Sequence, residues 1–61
     1  MIHSIIIEDQ PPAQRVLKKY IGDMGNMVLK ATFVDALQAI DFLKSKPVDL
    51  IFLDIHLPKI S

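Results

Sequence analysis

The sequence predicts an α/β domain of order β-α-β-α-β, with its three strands in one parallel sheet. Three short apolar runs, "IHSIII", "MVLKATF" and "VDLIFLD", are separated by two stretches in which apolar residues recur with helical spacing. Apolar runs without polar alternation are typical of parallel strands that are covered on both faces. Connections long enough for a helix favour parallel strands joined by right-handed crossovers.

The first strand is predicted over residues 2–7. The first helix is predicted to have the pair Pro11-Pro12 in its first turn, with Asp9 or Gln10 as its N-cap. Proline suits the first helical turn because its missing N–H would have no partner there. Apolar residues spaced i, i+3, i+4, i+7 and i+8 form one stripe along about three helical turns. These residues are Ala13, Val16, Leu17, Tyr20 and Ile21. Gly22 and Gly25 are predicted to end this helix.

The second strand is predicted over residues 27–33 and the third over residues 48–54. Between them Asp35 has the character of a helix N-cap, and Gln38 stands three residues later, as in a capping box. The apolar stripe of this second helix comprises Ala36, Ala39, Ile40 and Leu43. Pro47 is predicted to stop the helix, because the residue before a proline favours an extended conformation.

The composition restricts the class of protein. A chain of 61 residues forms at most one small domain, and such a domain buries only about 60% of its unfolded surface, so its stability is marginal. A net charge of zero indicates no long-range attraction to nucleic acid or to an anionic membrane. The absence of cysteine excludes disulfides and cysteine-ligated zinc, and it favours a cytoplasmic location. The apolar runs are shorter than the roughly 20 residues of a membrane span.

Three carboxylates stand at the ends of predicted strands. Glu8 and Asp9 follow the first strand, and Asp54 closes the third. If the strand order is 2-1-3, the first and third strands are neighbours, and the order reverses between them. Ligands of open parallel sheets bind outside the carboxyl ends of the strands at such a switch point. The three acids are therefore expected to converge at one edge of the sheet.

This constellation predicts a magnesium site with a nucleophile. Crowded carboxylates repel one another unless a cation or protons relieve them, and oxygen ligands alone select a hard cation such as Mg²⁺. An aspartate in such a site can act as a covalent nucleophile towards phosphorus. The alternative is that acids at strand ends only cap helices or turn in solvent, and this alternative applies to Asp9 in particular.

The stretches "IIIEDQ", "VDALQAIDFL" and "DLIFLDIHLPKIS" together resemble the first half of a response-regulator receiver domain of two-component signalling. The specific part is an apolar strand, Asp54, two variable residues, Leu57 and Pro58. The resemblance implies the first half of a flavodoxin-like, doubly wound fold. It implies that Asp54 accepts a phosphoryl group from a sensor histidine kinase. It further implies a Mg²⁺ site formed by Glu8, Asp9, Asp54 and the backbone carbonyl of His56.

The same resemblance implies a signalling phosphoacceptor domain that assists its own phosphorylation, not an enzyme. The first helix, "EDQPPAQRVLKKYI", also resembles receivers attached to LytTR-type DNA-binding domains, so an output domain that binds DNA is expected elsewhere in the parent chain. This segment itself is expected to contact neither nucleic acid nor a membrane.

The pattern departs from the family because receiver domains have five strands. Residues 1–61 are therefore interpreted as a partial receiver domain, cut after the third strand and the phosphoacceptor loop, with reduced competence. The third strand, central in the full order 2-1-3-4-5, becomes an edge, and an apolar edge pairs readily with another chain. A homo-oligomer through the edge of the third strand is the expected consequence.

Three other functions are weighed against this one. The chain could be an assembly half-domain that is never phosphorylated. A haloacid-dehalogenase type of hydrolase also places an Asp at a strand end, but it requires a second Asp where this chain has His56. A nucleotide-binding domain is disfavoured because no glycine-rich loop follows the first strand.

Overall fold

The computed structural model describes the backbone of residues 1–54 and the side chains of residues 1–53. Five elements follow one another: β1 (Ile2–Glu8), α1 (Pro11–Met24), β2 (Met27–Phe33), α2 (Ala36–Ser45) and β3 (Leu50–Asp54). The three strands form one sheet of order β2-β1-β3, and β1 runs parallel to both neighbours. The predicted fold class and strand order are confirmed.

The centre of the sheet is β1, whose run from Ser4 to Glu8 is buried throughout. Side chains alternate between the two faces of a strand, so Ile5 and Ile7 share one face and Ile6 lies on the other. The face of Ile5 and Ile7 is packed by α2 through Ala39, with Phe42 and Leu43 beside it. Right-handed crossovers on the two sides of β1 place α1 on the opposite face.

The α2 side of the core is closed by aromatic packing. The ring centroids of Phe33 on β2 and Phe42 on α2 lie 5.3 Å apart with the rings tilted by 57°. Tilted pairs at this separation are favourable beyond the area they bury. The Asp35 carboxylate caps the start of α2 by accepting a hydrogen bond from the Gln38 N–H at 2.9 Å. The capping role of Asp35 predicted from the sequence is confirmed.

Two details differ from the sequence-based expectation. Gly22 lies inside α1, and Gly25 alone ends the helix, with the positive φ of 76° that glycine adopts without steric cost. The third strand begins at Leu50 rather than at residue 48, because Val48 and Asp49 belong to the connection after Pro47.

The apolar stripes of both helices are only partly covered. Ile21 is buried on α1 and Ala39 on α2, whereas Val16, Tyr20 and Ile40 are exposed. For Val16 the exposure coincides with an open groove of about 350 Å³ between the first turns of α1 and β3. The residues that line this groove are Ala13, Val16, Leu17, Phe52 and Leu53.

Neither helix of the described part of the chain is both long and apolar enough to cross a membrane.

Candidate functional site

The parallel register of β1 and β3 positions the candidate site. Ile5, Ile6 and Ile7 pair with Ile51, Phe52 and Leu53, and the next pair is Glu8 with Asp54. Both acids therefore stand at the carboxyl ends of adjacent strands, on the same level of the sheet. The register therefore brings the backbone positions of these two sequence-predicted residues together.

Glu8 is completely buried, which is exceptional for a carboxylate. Its Oε1 accepts a hydrogen bond from the Gln10 N–H at 3.0 Å. The side chain thus folds back onto the loop that joins β1 to α1. A buried carboxylate held by a backbone N–H gives this loop a defined conformation directly above the strand end.

Gln14 fixes the same loop from the helix. Its Nε2 donates a hydrogen bond to the Glu8 backbone carbonyl at 2.6 Å, and its backbone N–H donates to the Gln10 carbonyl at 3.1 Å. The first turn of α1 is therefore tied to the end of β1 by both side-chain and main-chain bonds. Between these tied residues lies Asp9.

Asp9 is exposed, and it does not occupy the N-cap position of α1. The N-cap is Gln10, which has an extended backbone and makes no capping bond through its side chain. The alternative interpretation of Asp9 as the helix N-cap is therefore wrong. Asp9 directly follows the buried Glu8 in the chain, at the end of β1 where the site was predicted.

The remaining predicted ligands lie outside what the structure describes. For Asp54 the backbone position is described but the side chain is not, and His56, Leu57 and Pro58 lie beyond the described residues. Within the described residues, no three His, Cys, Asp or Glu side chains lie together as a possible metal site. The predicted set of Glu8, Asp9, Asp54 and the His56 carbonyl stays a prediction.

The comparison with known protein families is decisive for the identity of the domain. Residues 5–61 match the profile of the family described as the response regulator receiver domain. The chain belongs to this family. The match spans β1 to β3, so the resemblance drawn from the acidic pair and the Asp54 motif is confirmed at the level of the family.

Several curated proteins are similar to this chain over most of its length. The chain is 41% identical to the transcriptional regulatory protein YpdB of Escherichia coli (strain K12) over 57 residues, which are 93% of this chain and 23% of that protein. It is 39% identical to protein MrkE of Klebsiella pneumoniae over 57 residues, 93% of the chain and 21% of the relative. All 61 residues of the chain also align, with 33% identity, to a protein-glutamate methylesterase/protein-glutamine glutaminase of Nitrosospira multiformis. The aligned part is 17% of that protein.

The chain spans less than a quarter of the length of these curated relatives. No solved structure matches the chain significantly.

Two hydrogen-bonding residues of the fold, one near the site and one at the opposite end of β3, escape prediction from the sequence. Gln14 and Asp49 both act through hydrogen bonds to the backbone of a neighbouring element. Such partners are set by the tertiary arrangement, and the residue spacing carries no signal for Gln14. For Asp49, a polar residue just before the apolar run of β3 is the one signal that the sequence offers.

Proposed function

We propose that this chain accepts a phosphoryl group on Asp54 from a phosphohistidine of a sensor histidine kinase, with Mg²⁺ bound beside it. The observation that supports the proposal most strongly is the register of β1 and β3, which pairs Asp54 with Glu8 and leaves Asp9 in the next position. Membership of the receiver family agrees with this role. Receiver domains are signalling modules that interact with sensor histidine kinases.

The proposed step is a displacement at phosphorus. A carboxylate oxygen of Asp54 attacks the phosphorus atom, the P–N bond of the phosphohistidine breaks, and the imidazole nitrogen keeps the electron pair. The product is an aspartyl phosphate, a mixed anhydride. A small acyl phosphate can serve as donor in the same way, since its P–O bond breaks and a carboxylate leaves.

The residues of the edge fit a magnesium site in their chemistry. Glu8, Asp9, Asp54 and the His56 carbonyl offer oxygen atoms only, which is the donor set that Mg²⁺ accepts, together with water. When bound, the ion would neutralise charge on the transferred phosphoryl group. Glu8 is buried and accepts a hydrogen bond from the Gln10 N–H, so it also holds the loop that carries the exposed Asp9.

The proposal has consequences for the chain as a whole. Residues 1–61 would be the amino-terminal part of a receiver domain, meeting the kinase in the cytoplasm. The chain would have no catalytic activity of its own beyond assisting its phosphorylation. Any contact with DNA would belong to another segment of a longer regulator, as the name of the relative YpdB suggests for that protein.

The test is phosphorylation by a small acyl-phosphate donor, read as the intact mass of the purified chain. We expect a single phosphoryl adduct in the presence of Mg²⁺ and none when the ion is chelated. An adduct that forms equally well with and without Mg²⁺ would contradict the acidic site. The complete absence of an adduct would contradict phosphoacceptor competence of this chain.

A second candidate function is assembly through β3, favoured by the exposure of this strand. β3 pairs with β1 on one side and is the edge of the described sheet. Leu50, Ile51 and Leu53 are each at least 40% exposed, so the edge carries apolar side chains. Apolar edge strands pair readily with a second chain unless a charge interrupts them. We therefore propose a homo-oligomer of the 61-residue chain through this edge.

The oligomer is tested by the molar mass in solution. We expect light scattering to give the mass of a dimer or a larger assembly for the chain, and that of a monomer for Ile51→Lys, because the lysine brings a charge to the edge strand. Leu37→Lys, at an exposed position of α2, is the matched control and should not change the mass. A chain that is monomeric before any substitution would overturn this second proposal.

A further inference from the structure

We propose that Asp49 is a positioning residue, which fixes the register of β3 against β1 and so holds Asp54 level with Glu8. Asp49 lies one residue before β3 and is bonded twice to the backbone of His3. The His3 N–H donates to the Asp49 Oδ2 at 2.9 Å, and the Asp49 N–H donates to the His3 carbonyl at 2.8 Å. Asp49, just before β3, thus bonds to both the N–H and the carbonyl of His3 on β1.

The register of these strands needs such a contact because their side chains specify it weakly. Register is well determined where apolar and polar residues alternate, since a slip of one residue would bury the polar set. Here Ile5–Ile7 pair with Ile51–Leu53, and every residue of both runs is apolar. A slip of one residue that paired Ile5–Ile7 with residues 50–52 would therefore still set only apolar residues opposite this run.

A slip would nevertheless disrupt the site. One residue of displacement moves Asp54 by about 3.3 Å along the sheet and turns its side chain to the opposite face. Two residues of displacement keep the face but move Asp54 by about 6.6 Å from its place beside Glu8. The acidic site thus depends on a register that the apolar run does not determine by itself.

The neighbouring strand pair has a comparable contact of its own. The Ser4 hydroxyl donates to the Val28 carbonyl at 3.0 Å, next to a bulge at which Lys30 of β2 is left without a partner in β1. A side-chain hydrogen bond and a bulge therefore distinguish the observed register of β1 and β2 from shifted ones. For β1 and β3 the corresponding bond is that of Asp49.

This inference deepens the proposed function, so its test reads the register separately from phosphorylation. The chain has no cysteine, and two introduced cysteines will be its only thiols. The matched pair is Ile7→Cys with Leu53→Cys, which are partners in the observed register. The shifted pair is Ile7→Cys with Ile51→Cys, which become partners after a slip of two residues. Both pairs share Ile7→Cys, so the loss of this core side chain cancels in the comparison.

We expect the matched pair to form its disulfide faster than the shifted pair, because adjacent strands are about 4.8 Å apart and fall within disulfide range. In the Asp49→Ala background the ratio of the two rates should fall by about fivefold to tenfold, the factor expected for the loss of one solvent-exposed hydrogen bond. Asp49→Asn keeps an acceptor oxygen and should restore most of the ratio.

The rate of phosphorylation of the same variants tests whether the register matters for the proposed function. Asp49→Ala should lower the rate of phosphoryl incorporation, and formation of the matched disulfide in the same chain should restore it. Asp41→Ala, which removes an exposed acid from α2, is the control and should change neither readout.

An unchanged ratio of disulfide rates in Asp49→Ala would overturn the inference, whatever the phosphorylation result. An Asp49→Asn chain that behaves like Asp49→Ala would also contradict it. The ratio of disulfide rates can fall in Asp49→Ala even if the parent chain accepts no phosphoryl group. In that case Asp49 does fix the register, and only the proposed function fails.

Discussion

The Asp54→Asn chain is expected to gain no phosphoryl group from a small acyl phosphate at any Mg²⁺ concentration. The amide nitrogen of asparagine is not nucleophilic, and the amide carries no negative charge with which to hold a cation. The substitution keeps the size of the side chain and leaves the pairing of β1 with β3 in place, so the fold should be retained. The loss should therefore be complete in the intact-mass measurement.

Asp41→Asn is the matched control for this prediction, because it changes an exposed acid of α2, on an element that supplies no proposed ligand. Its adduct should form at the rate of the parent chain. Far-ultraviolet circular dichroism of the two variants should coincide. An Asp54→Asn chain that still carries a Mg²⁺-dependent adduct would assign the modification to another residue, and Glu8 and Asp9 would be the next positions to replace.

Ile5→Ala is expected to cause the largest loss of stability among single core truncations. Ile5 is fully buried at the centre of the middle strand and contacts the α2 side of the core. Truncation of a buried isoleucine to alanine costs about 2–5 kcal/mol in the free energy of unfolding, which is a large part of the total for so small a domain. The unfolding midpoint should fall by roughly 10 °C or more, or the folded signal should disappear at 25 °C.

Thermal unfolding followed by circular dichroism measures this effect. Leu37→Ala is the control, because Leu37 is 79% exposed on α2 and its truncation should change stability by no more than about 0.5 kcal/mol. Equal midpoints for Ile5→Ala and Leu37→Ala would contradict the described core. They would indicate that β1 is not the buried centre of the sheet.

The sequence predicts the order of elements and the sheet topology because these depend on local patterns. Apolar runs, helical stripes and the Asp35 cap each act within a few residues, and the structure contains all of them. The direction of the crossovers then follows from a general rule of handedness. The position of Glu8, Asp9 and Asp54 at one edge of the sheet follows in turn from this topology.

Other features depend on how the elements meet. The residue type of Gly22 does not reveal that it lies inside α1 rather than at its end, because a single glycine is tolerated within a helix at a modest cost. Val16 belongs to an apolar stripe, but its burial depends on what lies over the groove between α1 and β3. Gln14 bonds to a backbone group that its sequence neighbours do not reveal.

The most direct test of the account is to locate the phosphoryl group on the phosphorylated chain. Borohydride reduces an aspartyl phosphate to homoserine, and peptide mass spectrometry then identifies the altered position. We expect homoserine at position 54 in the Mg²⁺-treated sample and an unmodified residue there in the chelated control. Reduction at any other acid, or at none in a chain that carries the adduct, would contradict Asp54 as the phosphoacceptor.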